Sequence, residues 1–142
     1  MVDPELVTRK LALISGDLDP LTQLARKNLD DYLASITDEV LVERYLERII
    51  GRMIDINYHL ITETGSPPPR DYHDSFTQLA SLGIVSPAFA SRITTCAELR
   101  NRIVHEYDEI DPHKVHEALQ DAVRDSPEYL ALIHRFLESL PR

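Results

Sequence analysis

Proline placement constrains this chain more than any other feature. Five of its nine prolines directly follow a residue type that caps helix N-termini, in Asp3-Pro4, Asp19-Pro20, Ser86-Pro87, Asp111-Pro112 and Ser126-Pro127. Proline at the first helical position forfeits nothing, because the N–H it lacks would have no partner in the first turn. Each pair therefore reads as a helix start. Three more prolines stand together in "GSPPPR", residues 65 to 70, behind a glycine suited to a helix C-cap, so that stretch reads as a rigid turn between helices.

Between these marks the apolar residues recur at helical spacing. From Thr37 to Thr64, Val40, Tyr45 or Leu46, Ile49 or Ile50, Met53, Ile56 or Tyr58, and Leu60 or Ile61 follow at steps of three and four, which predicts one long helix. Gly51 in its interior costs about 0.8–1 kcal/mol against alanine, and close approach of another helix is the simplest reason for it. A shorter helix is expected through "DYHDSFTQLASL", stopping at Gly83 with Ile84 placed for a Schellman-type contact. "SPAFASRITTCAELRNRIVHEY" forms the next, and a last helical region runs from Pro112 to Leu140, bent or broken at Pro127. The N-terminal third holds two short helices, 4–15 and 20–34, or one interrupted helix. No strand alternation or repeat is visible, so the expected fold is all-α, an antiparallel bundle of four to five helices in one domain.

The totals narrow the function classes. With 43% hydrophobic and 27% charged residues the composition is that of a globular protein, and no run approaches the roughly 20 apolar residues of a membrane span. The first 15 residues carry Asp3, Glu5, Arg9 and Lys10 and lack the apolar run of a signal peptide, so a cytoplasmic location is expected. Cys96, the single cysteine, can form no internal disulfide. A net charge of −9 argues against broad nonspecific nucleic-acid binding, so any RNA role must rest on a local basic patch.

One stretch carries chemistry: "LRNRIVHEYDEID", residues 99 to 111, gathers Arg100, Asn101, Arg102, His105, Glu106 and Tyr107 near a helix end. At about 100° per residue, Cys96, Leu99 and Ile103 define a core-facing direction, Arg100 lies beside it, and Asn101 and His105 point away. A solvated helix surface with a snorkelling arginine would give this pattern too. Arginine, however, offers a permanent charge in a fork that matches phosphate oxygens, while histidine can exchange a proton near neutrality. The pair suits RNA cleavage, where the internal 2′-OH is the nucleophile and the protein need only move protons and stabilise charge on phosphorus. Arg100 and His105 stand roughly 140° apart on one helix, so a two-fold dimer that joins two copies would present them better.

The spacing Arg100, Asn101, His105, Tyr107, an Arg-x4-His-x-Tyr motif, resembles the signature of the HEPN ribonucleases and in particular the HepT toxins. "LVERYLERIIGRMIDINYHLI", "PPPRDYHDSFTQLASLGIVSP" and "LRNRIVHEYDEIDPHKVHEAL" are similar to that family as well, over residues 38 to 140, with 1–36 as variable N-terminal helices. The resemblance implies an all-α homodimer with a composite, metal-independent RNase site that needs no cofactor. In it Arg100 and His105 would be catalytic and Asn101 supporting. It also implies a partner, an MntA-like minimal nucleotidyltransferase antitoxin, which neutralises the toxin by transferring AMP from ATP to Tyr107. Helical phase would turn Tyr107 towards the core, so the helix must end or loosen by about residue 105.

Other candidates are weaker. Arg44, Arg48 and Arg52 form a basic stripe on the long helix beside Glu39, Glu43 and Glu47; it reads as a salt-bridged face, or, with Arg48, Arg52 and Arg102, as a set of RNA contacts. His113 and His116 have metal-ligand spacing but no third ligand, and Asp111 before them reads as an N-cap. The tyrosines, Tyr58 and Tyr72 among them, are too widely spaced to suggest a base-stacking platform and read as packing residues. The rival to a ribonuclease toxin is a non-catalytic helical adaptor that binds a nucleotidyltransferase or its nucleotide.

Overall fold

The computed structural model describes residues 1–141 and, of Tyr107, the backbone alone. Asp3, Asn28, Ser35, Asp71, Ser86 and Asp111 each accept an N–H from the first turn of the helix that follows, giving one orphan donor a partner. Those helices are α1 (Pro4–Ala25), α2 (Leu29–Leu33), α3 (Ile36–Glu63), α4 (Tyr72–Ser81), α5 (Pro87–His105) and α6 (Pro112–Glu138). A single 3-10 turn, Tyr107–Glu109, separates the last two, and no strand occurs among the described residues. The bundle thus has five substantial helices, with α2 a short link.

Two of the five proline pairs do not start helices: α1 runs through Pro20 and α6 through Pro127. An interior proline loses one backbone hydrogen bond and crowds the preceding turn, at about 3 kcal/mol. Against this, α1 buries Leu11, Ile14, Leu18 and Leu21, and α6 buries Val115, Leu119, Tyr129 and Ile133. Each such burial contributes roughly 1.5–3 kcal/mol, so a continuous rod that keeps its apolar stripe in register outweighs the defect.

α3 is the axis of the molecule. Val42, Leu46, Ile49, Ile50, Met53, Ile56, Leu60 and Ile61 are buried along it, and α1, α4, α5 and α6 all pack on it. Its C-terminus closes as expected: Gly65 takes a φ of +90° and Ser66 N–H reaches back to the Ile61 carbonyl at 3.1 Å. α4 ends in the same way at Gly83 (φ +76°), with Ile84 N–H on the Leu79 carbonyl at 3.0 Å.

A buried polar chain ties three helices together. The Tyr129 hydroxyl on α6 donates to Asn57 Oδ1 on α3 at 2.7 Å and lies 3.1 Å from the Met53 carbonyl. Asn57 Nδ2 donates to Ser75 Oγ on α4 at 3.1 Å, and Ser75 Oγ donates to the Tyr72 carbonyl at 2.7 Å. These partners allow polar groups to sit in the core without the penalty of an unmade hydrogen bond.

Gly51 does not mark a close helix approach. A Cβ at that position would meet nothing within 4 Å, because α3 faces open space there.

Candidate active site

α5 turns Cys96, Leu99 and Ile103 into the core and leaves Asn101, Arg102 and His105 exposed, as the helical phase predicts. Burial, then the negative Asp125 and Asp121, pushes the Cys96 thiol up to about 12. α5 stops at His105. Glu106 leaves the helix with φ −129° and ψ 33°, its N–H still on the Arg102 carbonyl at 2.7 Å. The break falls between the motif histidine and the motif tyrosine, where continuing the helix would have aligned residue 107 with Leu99 and Ile103. The side chain of Tyr107, expected to accept AMP, lies outside the described residues.

Arg100 is half-buried. Its guanidinium carbon sits 5.2 Å from the centre of the Tyr72 ring, a cation–π contact, and its Nε is buried with no hydrogen-bond partner among the described residues. No carboxylate there pairs with it. A buried N–H without an acceptor is unfavourable unless something else completes it.

Arg100 lines a cavity of about 360 Å³ between four helices. α1 contributes Lys10, α3 contributes Gly51, Ile54, Asp55 and Tyr58, and α4 contributes Tyr72. Lys10 Nζ and Asp55 Oδ2 are paired at 3.3 Å, and the Tyr58 and Tyr72 rings meet edge-on, with centres 6.2 Å apart. Burial, then Tyr72, Asp71 and Asp74, raises the Tyr58 phenol above its ordinary value, which keeps it a neutral donor. Tyr58 and Tyr72 are thus neighbours, contrary to their reading as scattered packing residues; the turn through residues 65–70 folds α4 back along α3. His105 does not line this cavity. Arg102 faces a separate one of about 270 Å³, with Glu106, Glu109, Asp111 and Lys114 around it.

Arg48 and Arg52, grouped with the RNA contacts on sequence, have a partner inside the chain. Both reach Asp17 Oδ2 on α1, at 2.9 and 2.6 Å, and Asp17 is only 7% exposed. The stripe is a clamp between α1 and α3; its third member, Arg44, pairs with Glu47 at 3.3 Å. His113 Nδ1 lies 3.2 Å from Asp111 Oδ1, and the His116 ring packs on Tyr32 with centres 5.3 Å apart.

Comparison with known proteins places the chain. The Ribonuclease HepT-like family model matches residues 14–133. A tRNA nuclease HepT of Aphanizomenon flos-aquae is 35% identical over 139 residues, covering 98% of this chain and 95% of that protein. An mRNA nuclease HepT of Shewanella oneidensis is 26% identical over 99 residues, 70% of this chain and 73% of that one. Among solved structures, the tri-AMPylated Shewanella oneidensis HEPN toxin in complex with MNT antitoxin has a TM-score of 0.83 at 24% identity, over 95% of this chain and 99% of that chain. The all-helical fold is that of the HEPN toxins, and the chain belongs to the HepT-like ribonuclease family.

Proposed function

We infer that this chain is the toxin of a toxin–antitoxin pair, a metal-independent endoribonuclease acting in the cytoplasm as a homodimer. Within that family setting, one observation carries the reading. Arg100 is a half-buried cation with no carboxylate partner among the described residues, on the helix end that exposes His105. The 2′-OH attacks the adjacent phosphorus, the 5′-oxygen departs, and the products end in a 2′,3′-cyclic phosphate and a 5′-hydroxyl. His105 takes part in moving the proton off the 2′-oxygen, and Arg100 stabilises the extra negative charge on the phosphorane. Asn101, one turn before His105 on the same face, supports the site, and Arg102 contacts RNA.

An MntA-like minimal nucleotidyltransferase is the antitoxin. The Tyr107 phenol oxygen attacks the α-phosphorus of ATP, pyrophosphate leaves, and the AMP group places negative charge where RNA phosphate would bind. The AMP-modified, antitoxin-bound structural neighbour supports this. The relative matched along nearly the whole chain is a tRNA nuclease, so tRNA is the first substrate to test.

The test is cleavage of tRNA and mRNA with EDTA present, by wild type, Arg100→Ala and His105→Ala, with the product ends analysed. Cyclic-phosphate ends from wild type, lost in both folded variants, are expected. An active His105→Ala enzyme would remove the mechanism, and a folded wild type that cuts neither RNA would move the assignment to a non-catalytic adaptor.

A further inference from the structure

The cavity beside Arg100 has features that catalysis at a phosphate does not need. Its wall includes two aromatic rings, Tyr58 and Tyr72, and a mid-helix glycine, Gly51, for which packing gives no reason. Glycine inside a helix is unfavourable against alanine, yet here the missing side chain only leaves the cavity open. Two cations, Lys10 and Arg100, and one carboxylate, Asp55, give the lining a net positive charge in a strongly acidic protein. Its volume of about 360 Å³ falls in the range of small-ligand pockets.

We propose that this cavity is a nucleotide subsite. It takes the base of an RNA nucleotide next to the scissile phosphate against Tyr58 and Tyr72, while Arg100 and Lys10 hold that nucleotide's phosphate. The chemistry matches on each side. An aromatic wall stacks any nucleobase, a guanidinium stacks on a base or forks onto a phosphate, and the neutral Tyr58 hydroxyl can hydrogen-bond a base edge. Gly51 is then the residue that makes room, and Tyr58 and Tyr72 position the RNA rather than take part in proton transfer. The proposal rests on the ribonuclease reading for the identity of its ligand, though a free nucleoside monophosphate shares the same chemistry.

The test uses the full chain and two readouts. The first titrates the four nucleoside 3′-monophosphates, and inorganic phosphate alone, into the protein and follows the Tyr58 and Tyr72 ring resonances. The second measures KM and kcat on short RNAs and on the same RNAs with one base at a time removed beside the cut. Gly51→Leu grows a side chain on the cavity wall from a Cβ that meets nothing within 4 Å, and Tyr58→Leu removes one stacking surface. The expected result is that nucleotides shift both rings more than phosphate does and that Gly51→Leu abolishes the shifts. KM should rise about tenfold in Gly51→Leu, with a smaller change in kcat. Tyr58→Leu should flatten the penalty for one abasic position, and the thermal midpoint of Gly51→Leu should not fall below that of wild type. Unmoved ring resonances, or wild-type KM and wild-type abasic penalties in a folded Gly51→Leu protein, overturn the subsite. His105→Ala separates the two ideas: it should bind nucleotides normally while failing to cleave. If it cleaves, the catalytic reading falls and the titration still decides the cavity. Ring shifts with mononucleotides but no base dependence in RNA would make the cavity a free-nucleotide site, which also overturns the proposal.

Discussion

Tyr129 shows how much one residue can carry. Its hydroxyl supplies the only proton between Asn57 Oδ1 and the Met53 carbonyl, and removing it as Tyr129→Phe leaves a buried acceptor without its donor. We expect a loss of about 1–3 kcal/mol, read from the urea midpoint at unchanged slope. Burial raises this phenol well above its ordinary value, so the folded chain holds the proton after the unfolded chain has lost it. Stability from this group is therefore complete below about pH 10 and declines as pH rises beyond it. The difference between wild type and Tyr129→Phe should stay constant from neutral pH to the onset of that decline. Single residues were legible on sequence only where their role is local. The Gly65 and Gly83 caps could be read, whereas the space beside Gly51 and the meeting of Tyr58 with Tyr72 depend on how separate helices pack.

At the scale of elements, the capping side chain made the helix starts at Asp3, Asp71, Ser86 and Asp111 legible, but the start at Asn28 was missed, inside a stretch read as one helix over 20–34. The same signal misled at Asp19-Pro20 and Ser126-Pro127, because a cap sequence reports a local preference and the stripe on either side of each proline decides whether the rod continues. The end of α5 at His105 could be read from the phase of Tyr107 only together with the modification of that tyrosine that the family resemblance implies. The joint between α1 and α3 could not, since Asp17 lies far from Arg48 and Arg52 in sequence. Asp17→Asn should weaken that joint by about 1–2 kcal/mol, a modest figure because Arg48 is 41% exposed and water screens it. Arg48→Ala and Arg52→Ala should likewise lower the thermal midpoint while leaving KM for RNA within about twofold of wild type. Arginines bound to RNA would instead raise KM and make it less salt-dependent, by about 0.7 in slope for each phosphate no longer held.

For the whole molecule, the central fact is that Arg100 and His105 address different faces of α5. A dimer that pairs Arg100 of one copy with His105 of the other would make neither residue dispensable, yet would let two dead proteins rescue each other. Mixing Arg100→Ala with His105→Ala under conditions that exchange subunits should restore about one quarter of wild-type activity, since half the dimers are mixed and each holds one intact site. A site built within one protomer would stay silent in every mixture, and a cleavage assay on the mixed sample separates the two. Composition anticipated this level least: a charge of −9 says that RNA must be held locally, not which copies of the chain hold it.

The burial of Cys96 has a practical side. A thiol sealed against the core does not compete for alkylating or bridging reagents, so the native chain carries no reactive sulfur. A cysteine placed at exposed Asn101 would then be the sole handle on the surface. If the two motifs face each other, a short bis-maleimide would join the copies there, turning the distance between the two motif helices into a band on a gel.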